Sequence, residues 1–282
     1  MLYSRGLAPK AKMGQNFLID MNLLELIVET AELGKDDAVL EVGTGTGGLT
    51  TRLCDFAGTV VSIELAPDFH KLASDLYARR ENLKLMCGDI LARKNEINPD
   101  VVAEWIRRAH AAGCTRKKLV ANLPYVVATP VIANFLIADL PIERMVVMVQ
   151  SEMADRLTAG AGNKEYGALA VLVQSLAETK IIRRLPPTVV WPMPKVDSAI
   201  IMIKPSEGKR KLISNVALFR AFLRDLYTHR RKILRQALSG WPGGRKDKKE
   251  IDAKLVELGI DGTIRAEMLD IEQHQRLFLA FA

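Results

Sequence analysis

Seven short runs of apolar residues, rich in Val and Ile, follow one another between residues 38 and 204. Each run is six or seven residues long, which suits a buried strand, and the segments between the first five are long enough for a helix. Because parallel strands need such crossover connections, the pattern predicts an α/β fold with a mostly parallel, seven-stranded sheet and helices on both faces. The last two runs are joined by a short Pro-rich connection, so that pair is predicted to be antiparallel. The runs span residues 38–43, 59–65, 83–89, 118–124, 144–150, 180–186 and 198–204.

The chain after the last run has a different pattern. Residues 204–211, KPSEGKRK, have the composition of a linker, and three later segments carry apolar residues at helical spacing. These segments are residues 216–238, 249–260 and 273–282. We therefore predict two domains, an α/β domain over residues 1–206 and a small all-helical domain over residues 207–282.

Cysteine and histidine usage excludes two classes of protein. The three cysteines, Cys54, Cys87 and Cys114, are widely spaced and form no CxxC pair, and the four histidines are scattered. This spacing excludes a disulfide scaffold and predicts that the chain binds no metal. The chain is predicted to be cytoplasmic, where thiols stay reduced.

One uncharged segment is long enough to cross a bilayer. It comprises the twenty residues from Leu119 to Ala138. Pro124 and Pro130 would interrupt a spanning helix twice, so we interpret the segment as a buried strand, a turn and the start of a packed helix. The first twenty residues contain no apolar stretch typical of a secretory signal. We therefore expect no membrane partner.

Positive charge is concentrated near the C-terminal end. Residues Lys209 to Lys249 hold 13 Lys and Arg against 2 acidic residues, a balance of +11 that leaves −4 for the rest of a chain whose total is +7. A patch of this density neutralises phosphates and favours a nucleic-acid partner. The alternative is an ordinary solvated helix face with a loop.

A glycine-rich segment, LEVGTGTGGLT (40–50), follows the first run and precedes a helix. Gly43, Gly45 and Gly48 fit the pattern G-x-G-x-x-G, and Gly47 adds a fourth glycine. Glycines here allow a tight turn and a close approach of the backbone to a ligand. The pattern suits nicotinamide cofactors and S-adenosylmethionine alike, and a tight turn without a ligand is the structural alternative.

Three acidic residues refine this choice. Glu64 ends the second run, 21 residues after Gly43, where a carboxylate can accept both ribose hydroxyls of an adenosine group. Asp89 ends the third run and could accept a bond from an adenine amino group, although a helix N-cap is the simpler role. Glu41 precedes the turn, where a carboxylate suits an ammonium group and repels a pyrophosphate. Together they favour S-adenosylmethionine over a dinucleotide.

The fourth run ends in Asn122-Leu123-Pro124-Tyr125. An adenine amino nitrogen is a poor nucleophile because its lone pair is delocalised into the ring, so catalysis needs acceptors aimed at its two hydrogens. The Asn122 side-chain oxygen and a main-chain carbonyl of the turn can be these acceptors, while Pro124 constrains the turn and Tyr125 offers a stacking surface. The structural alternative is an Asn-x-Pro turn with a buried Tyr.

Several short motifs occur in a fixed order along the chain. They are GQNFLID (14–20), LEVGTGTGGLT (40–50), IEL (63–65), GDIL (88–91), NLPY (122–125), PMPKVDSA (192–199) and HRRKILRQAL (229–238), together with Gln150, Glu152, Arg156, Tyr166 and Gly167. Over residues 10 to 280 the chain resembles the KsgA family of ribosomal RNA adenine dimethyltransferases. The resemblance implies a class I methyltransferase domain, a helical rRNA-binding domain, S-adenosylmethionine as methyl donor, and dimethylation of two adjacent adenosines near the 3′ end of small-subunit rRNA within a pre-ribosomal particle.

The resemblance also implies roles for particular residues. The target adenine would be held by Asn122, Leu123, Pro124 and Tyr125. Contacts to rRNA would come from Arg230, Arg231, Lys232 and Arg235. The cofactor site would be lined by Gln15, Asn16, Leu18, Glu41, Gly43, Gly45, Glu64, Leu65, Asp89, Ile90 and Asn122.

The sequence departs from the family pattern at two positions. The family usually has a stacking Phe where Val190 stands here, so either the adjacent Trp191 replaces it or Tyr125 holds the base alone. A change of Val190 to Phe is therefore expected to be tolerated. The residue two positions after Glu64 is commonly Asp and is Ala66 here, which leaves the ribose acceptor itself in place.

Three alternatives remain for the function. An Erm-type methyltransferase shares the adenine motifs but modifies large-subunit rRNA, and the basic C-terminal segment favours the KsgA family. A non-catalytic RNA-binding relative is disfavoured by the intact Asn122 and glycine turn. An NAD oxidoreductase is disfavoured by Glu41 and by the lack of a plausible hydride-transfer His or Tyr/Lys pair. The enzyme is expected to be a monomer.

Overall fold

The structure, a computed structural model, describes Pro9, residues 15–241 and residues 247–281. The residues outside this description are 1–8 and 10–14, which include Gly14 of the GQNFLID motif and most of the first twenty residues, 242–246 of the basic segment, and Ala282. The described chain divides into two compact units. The first comprises the chain up to Ala154 together with Lys180–Pro205, and the second comprises Asp155–Thr179 and the chain from Ser206 onward.

The strands form one seven-stranded sheet and two small two-stranded pairings. In chain order they are β1 (Phe17–Leu18), β2 (Asp37–Val42), β3 (Thr59–Glu64), β4 (Leu83–Cys87), β5 (Leu91–Arg93), β6 (Glu96–Ile97), β7 (Arg116–Asn122), β8 (Ile142–Gln150), β9 (Ala177–Leu185), β10 (Val190–Trp191) and β11 (Ser198–Pro205). The large sheet has the order β4-β3-β2-β7-β8-β11-β9, and its members are the seven predicted runs.

The strand directions confirm the predicted parallel core. The pairs β3–β4, β2–β3, β2–β7 and β7–β8 are all parallel. Strand β11 enters antiparallel to β8, with Ser198 opposite Gln150. Strand β9 lies beside β11 at the edge of the sheet. A mostly parallel sheet of this order brings the carboxyl ends of β2, β3, β4 and β7 to one edge.

Helices alternate with the strands and then dominate the C-terminal part. They are α1 (Met21–Ala31), α2 (Gly48–Phe56), α3 (Pro67–Tyr77), α4 (Pro99–Ala111), α5 (Tyr125–Ile137), α6 (Ser151–Thr158), α7 (Ala168–Gln174), α8 (Glu207–Lys211), α9 (Val216–Thr228), α10 (Leu234–Leu238), α11 (Lys248–Glu257) and α12 (Ile271–Phe281), with 3₁₀ turns at Pro187–Val189 and Ala266–Met268.

The core of the first unit forms on the faces of the sheet. Helices α1 and α2 pack Ile27, Leu53 and their neighbours against Val39, Val60 and Val120, all of them buried. Burial of one such side chain contributes about 1.5–3 kcal/mol. Successive residues of a strand point to opposite faces, and the residues next to these valines are buried as well. Apolar cover on both faces explains why the sequence runs are continuously apolar rather than alternating.

The uncharged segment 119–138 folds as the sequence predicts. Strand β7 ends at Asn122, Pro124 occupies the cap position, and helix α5 begins at Tyr125. Pro130 lies inside α5. Among the helices of the described residues, none combines the length and apolar character that a bilayer span requires.

The second unit includes a segment that we predicted to belong to the first domain. This segment is Asp155–Thr179, and within it the Gln174 amide donates to the carbonyls of Leu157 and Ala159 at 3.0 and 2.8 Å. The Lys209 ammonium bonds the carbonyls of Gln174 and Ala177 at 3.1 and 2.9 Å. The unit is therefore not simply the chain beyond residue 206. The chain passes between the two units three times, and local composition does not reveal this.

The segment 216–238, predicted as one helical stretch, is interrupted. Helix α9 ends at Thr228 and α10 begins only at Leu234. Ile233 has an extended backbone with ψ of 154°, and the next amide donates to the Ile264 carbonyl at 2.8 Å. This external acceptor replaces the helical one, so the basic sequence HRRK lies in a turn rather than on a helix.

Candidate active site

A cavity of about 290 Å³ lies where the carboxyl ends of β2, β3, β4 and β7 meet. Every residue that the sequence assigned to the cofactor lines this cavity: Gln15, Asn16, Leu18, Glu41, Gly43, Gly45, Glu64, Leu65, Asp89, Ile90 and Asn122. The lining also contains residues that sequence reasoning missed, among them Phe17, Thr44, Thr46, Ala66, Gly88, Val126 and Val127. All of these except Val127 are chain neighbours of a predicted residue, so position next to a motif was the available signal.

Two aromatic rings pack directly against the glycine turn. Gly43, Gly45 and Gly47 have φ of 87°, 54° and 78°, a backbone region that side chains disfavour. A Cβ on Gly45 would lie 2.7 Å from a ring carbon of Phe17, and one on Gly47 would lie 2.2 Å from the Tyr77 ring. The third glycine that the turn needs is therefore Gly47, whereas Gly48 of the predicted pattern begins α2.

Glu64 is fixed at the end of β3 by two backbone donors. Its Oε2 accepts the Gly45 N–H and its Oε1 accepts the Ala66 N–H, each at 2.9 Å. The residue is only 7% exposed. A carboxylate oxygen can accept more than one hydrogen bond, so both oxygens retain capacity for a ligand's hydroxyls. The carboxylate thus holds the glycine turn and faces the cavity at once.

Glu41 is a buried carboxyl without a basic partner among the described residues. Its Oε2 accepts hydrogen bonds from Thr50 Oγ1 at 2.7 Å and Ser62 Oγ at 2.6 Å, and Ser62 in turn bonds Thr44 at 2.6 Å. Burial raises the pKa of Glu41 to about 8, with a smaller contribution from the charge of Glu64, while the two hydroxyls act in the opposite direction. An ammonium group in the cavity would favour the ionised form.

Asp89 is exposed at the rim of the cavity. Its Oδ1 accepts the N–H of Leu91 at 2.8 Å. The side chain therefore caps a turn before β5 rather than the start of a helix. Ile90, beside it, is buried and provides an apolar part of the lining.

The Asn122 side chain has a defined orientation. Its Nδ2 donates to the carbonyl of Asn16 at 2.8 Å, so Oδ1 is the amide atom left to accept a hydrogen bond. Leu123 follows as a buried residue whose N–H donates to the Met148 carbonyl at 3.1 Å. The turn is thereby attached to both β8 and the segment before β1. Asn122 and Pro124 line the cavity, while Leu123 does not.

Tyr125 is half-buried at the first position of α5 and lies outside the cavity lining. Its hydroxyl shares a hydrogen bond of 2.7 Å with Ser198 Oγ. Burial raises the pKa of the Tyr125 phenol, so the hydroxyl stays protonated at neutral pH.

Trp191 and Val190 lie on β10, which pairs with β1. The Trp191 ring stacks on Phe17 at 6.4 Å between centroids, and Phe17 lines the cavity. Val190 is 2% exposed and packs in the main apolar core with Leu18 and Leu185. A phenylalanine at position 190 would overfill that core, so this packing contradicts the expectation that the change is tolerated.

The four predicted rRNA-binding residues differ in their partners. Arg230 forms an ion pair with Glu267 and bonds the Lys164 carbonyl at 2.8 Å, and Arg235 pairs with Asp252. Arg231 and Lys232 are exposed and form no ion pair with the described residues. The turn between α9 and α10 therefore carries two cations, Arg231 and Lys232, that pair with no carboxylate of the described residues, whereas Arg230 of the turn and Arg235 of α10 are paired.

No group of three or more His, Cys, Asp or Glu in the part of the chain that the structure describes could hold a metal ion. The described cysteines form no disulfide.

The chain matches the profile of a family described as ribosomal RNA adenine dimethylase over residues 7–282. Among curated relatives, the ribosomal RNA small subunit methyltransferase A of Geobacillus kaustophilus is 38% identical over 98% of this chain and 92% of the relative. The protein of the same name from Lachnoclostridium phytofermentans is 39% identical over 94% of this chain and 89% of the relative.

Two solved structures share the fold. A dimethyladenosine transferase from Plasmodium falciparum superposes with a TM-score of 0.75, covering 94% of this chain and 97% of that one. The 23S rRNA methyltransferase ErmE gives 0.66, covering 94% and 99%. Both are 24% identical to this chain. This similarity shows a common fold and does not distinguish between their substrates.

Proposed function

The chain belongs to the ribosomal RNA adenine dimethylase family, and from this we propose that it dimethylates the exocyclic amino groups of two adjacent adenosines near the 3′ end of small-subunit rRNA. Support for the subunit comes from the name of the relatives at 38% and 39% identity, which span almost the whole chain. The Erm-type alternative has a related fold, but the curated relatives favour the small subunit.

S-adenosylmethionine, which this family uses, supplies an electrophilic methyl group on a sulfonium. The residues of the cavity fit its parts. Glu64 offers buried carboxylate oxygens to the ribose hydroxyls, and the glycine turn brings backbone N–H groups close to a ligand. Leu65 and Ile90 provide apolar surface, and Glu41 suits the amino-acid ammonium.

The observation that carries the proposed chemistry is the orientation of Asn122. With Nδ2 bound to the Asn16 carbonyl, its Oδ1 is available to accept a hydrogen of the adenine amino group. That bond, with a second one to a turn carbonyl, would turn the nitrogen lone pair out of the ring plane. Each methyl transfer releases one proton of the amino group, which passes to solvent water. The amide is neutral over the physiological range, so Asn122 orients the nucleophile and does not itself take the proton.

Tyr125 would stack on the target base, and its place directly after Pro124, which lines the cavity, supports this role. The stacking of Trp191 on Phe17 favours a supporting role for Trp191, with Tyr125 as the main stacking surface. Direct stacking by Trp191 stays a prediction.

Arg231 and Lys232 would make most of the contacts with rRNA phosphates, because Arg230 and Arg235 already have carboxylate partners. A ribosomal substrate also supports action in the cytoplasm on a pre-ribosomal particle. That the enzyme acts as a monomer stays a prediction.

The test is single-turnover methyl transfer to small-subunit rRNA by Asn122→Ala, with Asn22→Ala, an exposed residue of α1, as control. Loss of one preorganised hydrogen-bond partner should lower the rate by about a hundredfold or more, by analogy with an oxyanion-hole donor. Affinity for S-adenosylmethionine should fall much less. Near-normal transfer by Asn122→Ala would contradict the assignment.

A further inference from the structure

Ser198 is the one hydroxyl of the motif PMPKVDSA, and its role in the proposed site is not evident from the sequence. It is the first residue of β11 and is fully buried. The ladder between β11 and β8 sets it opposite Gln150. Its backbone position is therefore fixed by the sheet.

Hydrogen bonds from Ser151 also hold the backbone at Ser198. The Ser198 carbonyl accepts the Ser151 hydroxyl at 2.8 Å, and the Ser151 N–H donates to the Asp197 carbonyl at 2.9 Å. Ser151 begins α6, directly after β8. The Ser198 hydroxyl thus projects from a rigid junction of two strands and a helix.

The hydroxyl of Tyr125 bonds to this rigid point at 2.7 Å. Tyr125 itself stands at the beginning of a helix, beside Val126, which is 76% exposed. A half-buried ring at such a place can swing about χ1 unless its far end is held. The bond to Ser198 supplies that restraint at the end of the ring opposite the backbone.

We propose that Ser198 is a positioning residue for methyl transfer, which fixes the direction of the Tyr125 side chain and so the place of its ring, on which the target adenine stacks in reactive orientation. The inference rests on the proposed function, because it requires that Tyr125 stacks on the base. Ser198 touches neither base nor cofactor in this scheme and acts only through Tyr125.

The expected effect follows from the loss of one hydrogen bond. Ser198→Ala should lower kcat/KM for rRNA by roughly three- to tenfold, the range of a typical net hydrogen bond. Affinity for S-adenosylmethionine should stay within twofold of the parent. Tyr125→Phe, which keeps the ring and removes the hydroxyl, should produce the same loss.

The decisive measurement is a double-mutant cycle on the full-length protein, with rates corrected for the folded fraction. The pair Ser198→Ala with Tyr125→Phe should be no slower than either single variant, because both remove the same bond. Ser198→Thr, which restores a hydroxyl, should recover most of the rate. Ser175→Ala is a matched control, since the Ser175 hydroxyl is buried without a partner among the described residues.

The outcomes separate the two claims. Additive losses in the cycle, or an unchanged rate for Ser198→Ala, would overturn the positioning role while leaving the stacking role intact. Full activity of Tyr125→Ala would instead overturn the stacking role in the proposed function, and the inference with it.

Discussion

Substitution of Glu64 by Gln changes one atom and tests how the cofactor cavity is built. Glu64 accepts two backbone N–H groups, from Gly45 and Ala66, each at 2.9 Å, at a site that is 7% exposed. A glutamine presents one oxygen and one NH₂ group, so one of the two buried N–H donors must face another donor. A hydrogen bond to a charged group contributes about 1.5–3 kcal/mol, and at least one is lost outright.

The expected result has two parts. The free energy of unfolding of the cofactor-free protein should fall by about 1.5–3 kcal/mol. Affinity for S-adenosylmethionine should fall about 10- to 100-fold, because the same carboxylate must hold the turn and accept the ribose hydroxyls. Denaturant titration measures the first and calorimetry the second.

Glu29→Gln, an exposed position on α1, controls for the change of charge. It should leave both quantities within experimental error. If Glu64→Gln unfolds and binds like the parent protein, the carboxylate neither supports the turn nor recognises the cofactor, and the reasoning about this cavity is wrong.

Three further predictions follow from burial and pairing. Folding raises the pKa of Glu41 from 4.5 to about 8, so between these pH values the folded protein keeps a proton on Glu41 that the unfolded chain has lost. The free energy of unfolding should therefore fall as the pH rises through this window, by at most about 1.4 kcal/mol per pH unit. Glu41→Gln should flatten that dependence in denaturant titrations at pH 5 to 8.5, and an identical slope in both proteins would contradict it. Val190→Phe should lower the free energy of unfolding by about 1–3 kcal/mol, whereas an unchanged denaturation midpoint would show that the core accommodates the ring. Arg231→Met should reduce the slope of log affinity for rRNA against log salt by about one, and Arg230→Met by less because Glu267 holds that guanidinium; equal slopes for the two variants would refute the distinction.

Local patterns in the sequence were sufficient to predict the strands of the sheet and most residues that line the cavity. Runs of Val and Ile identified the seven strands, and strand-end residues such as Glu64 and Asn122 lie at one edge because parallel strands end there. The KsgA-family resemblance added residues such as Gln15 and Ile90, which strand patterns alone do not select.

The features that sequence reasoning missed depend on distant contacts. Strands β1 and β10 have two residues each, too few for a periodic signal, yet their pairing places Phe17 against Gly45. The helix break before Leu234 depends on an acceptor at Ile264, thirty residues away. The bond from Tyr125 to Ser198 spans 73 residues and requires the register of β11 on β8. None of these can be deduced from composition or spacing near the residue itself.

Mapping of the methylated nucleotides identifies the substrate of the enzyme. Purified protein and labelled S-adenosylmethionine would be incubated separately with unmodified small subunits and with unmodified large-subunit rRNA. We expect two adjacent N6,N6-dimethyladenosines near the 3′ end of the small-subunit rRNA, none in the large-subunit rRNA, and no product with Asn122→Ala. Methylation of the large-subunit rRNA alone, or of neither RNA, would contradict it.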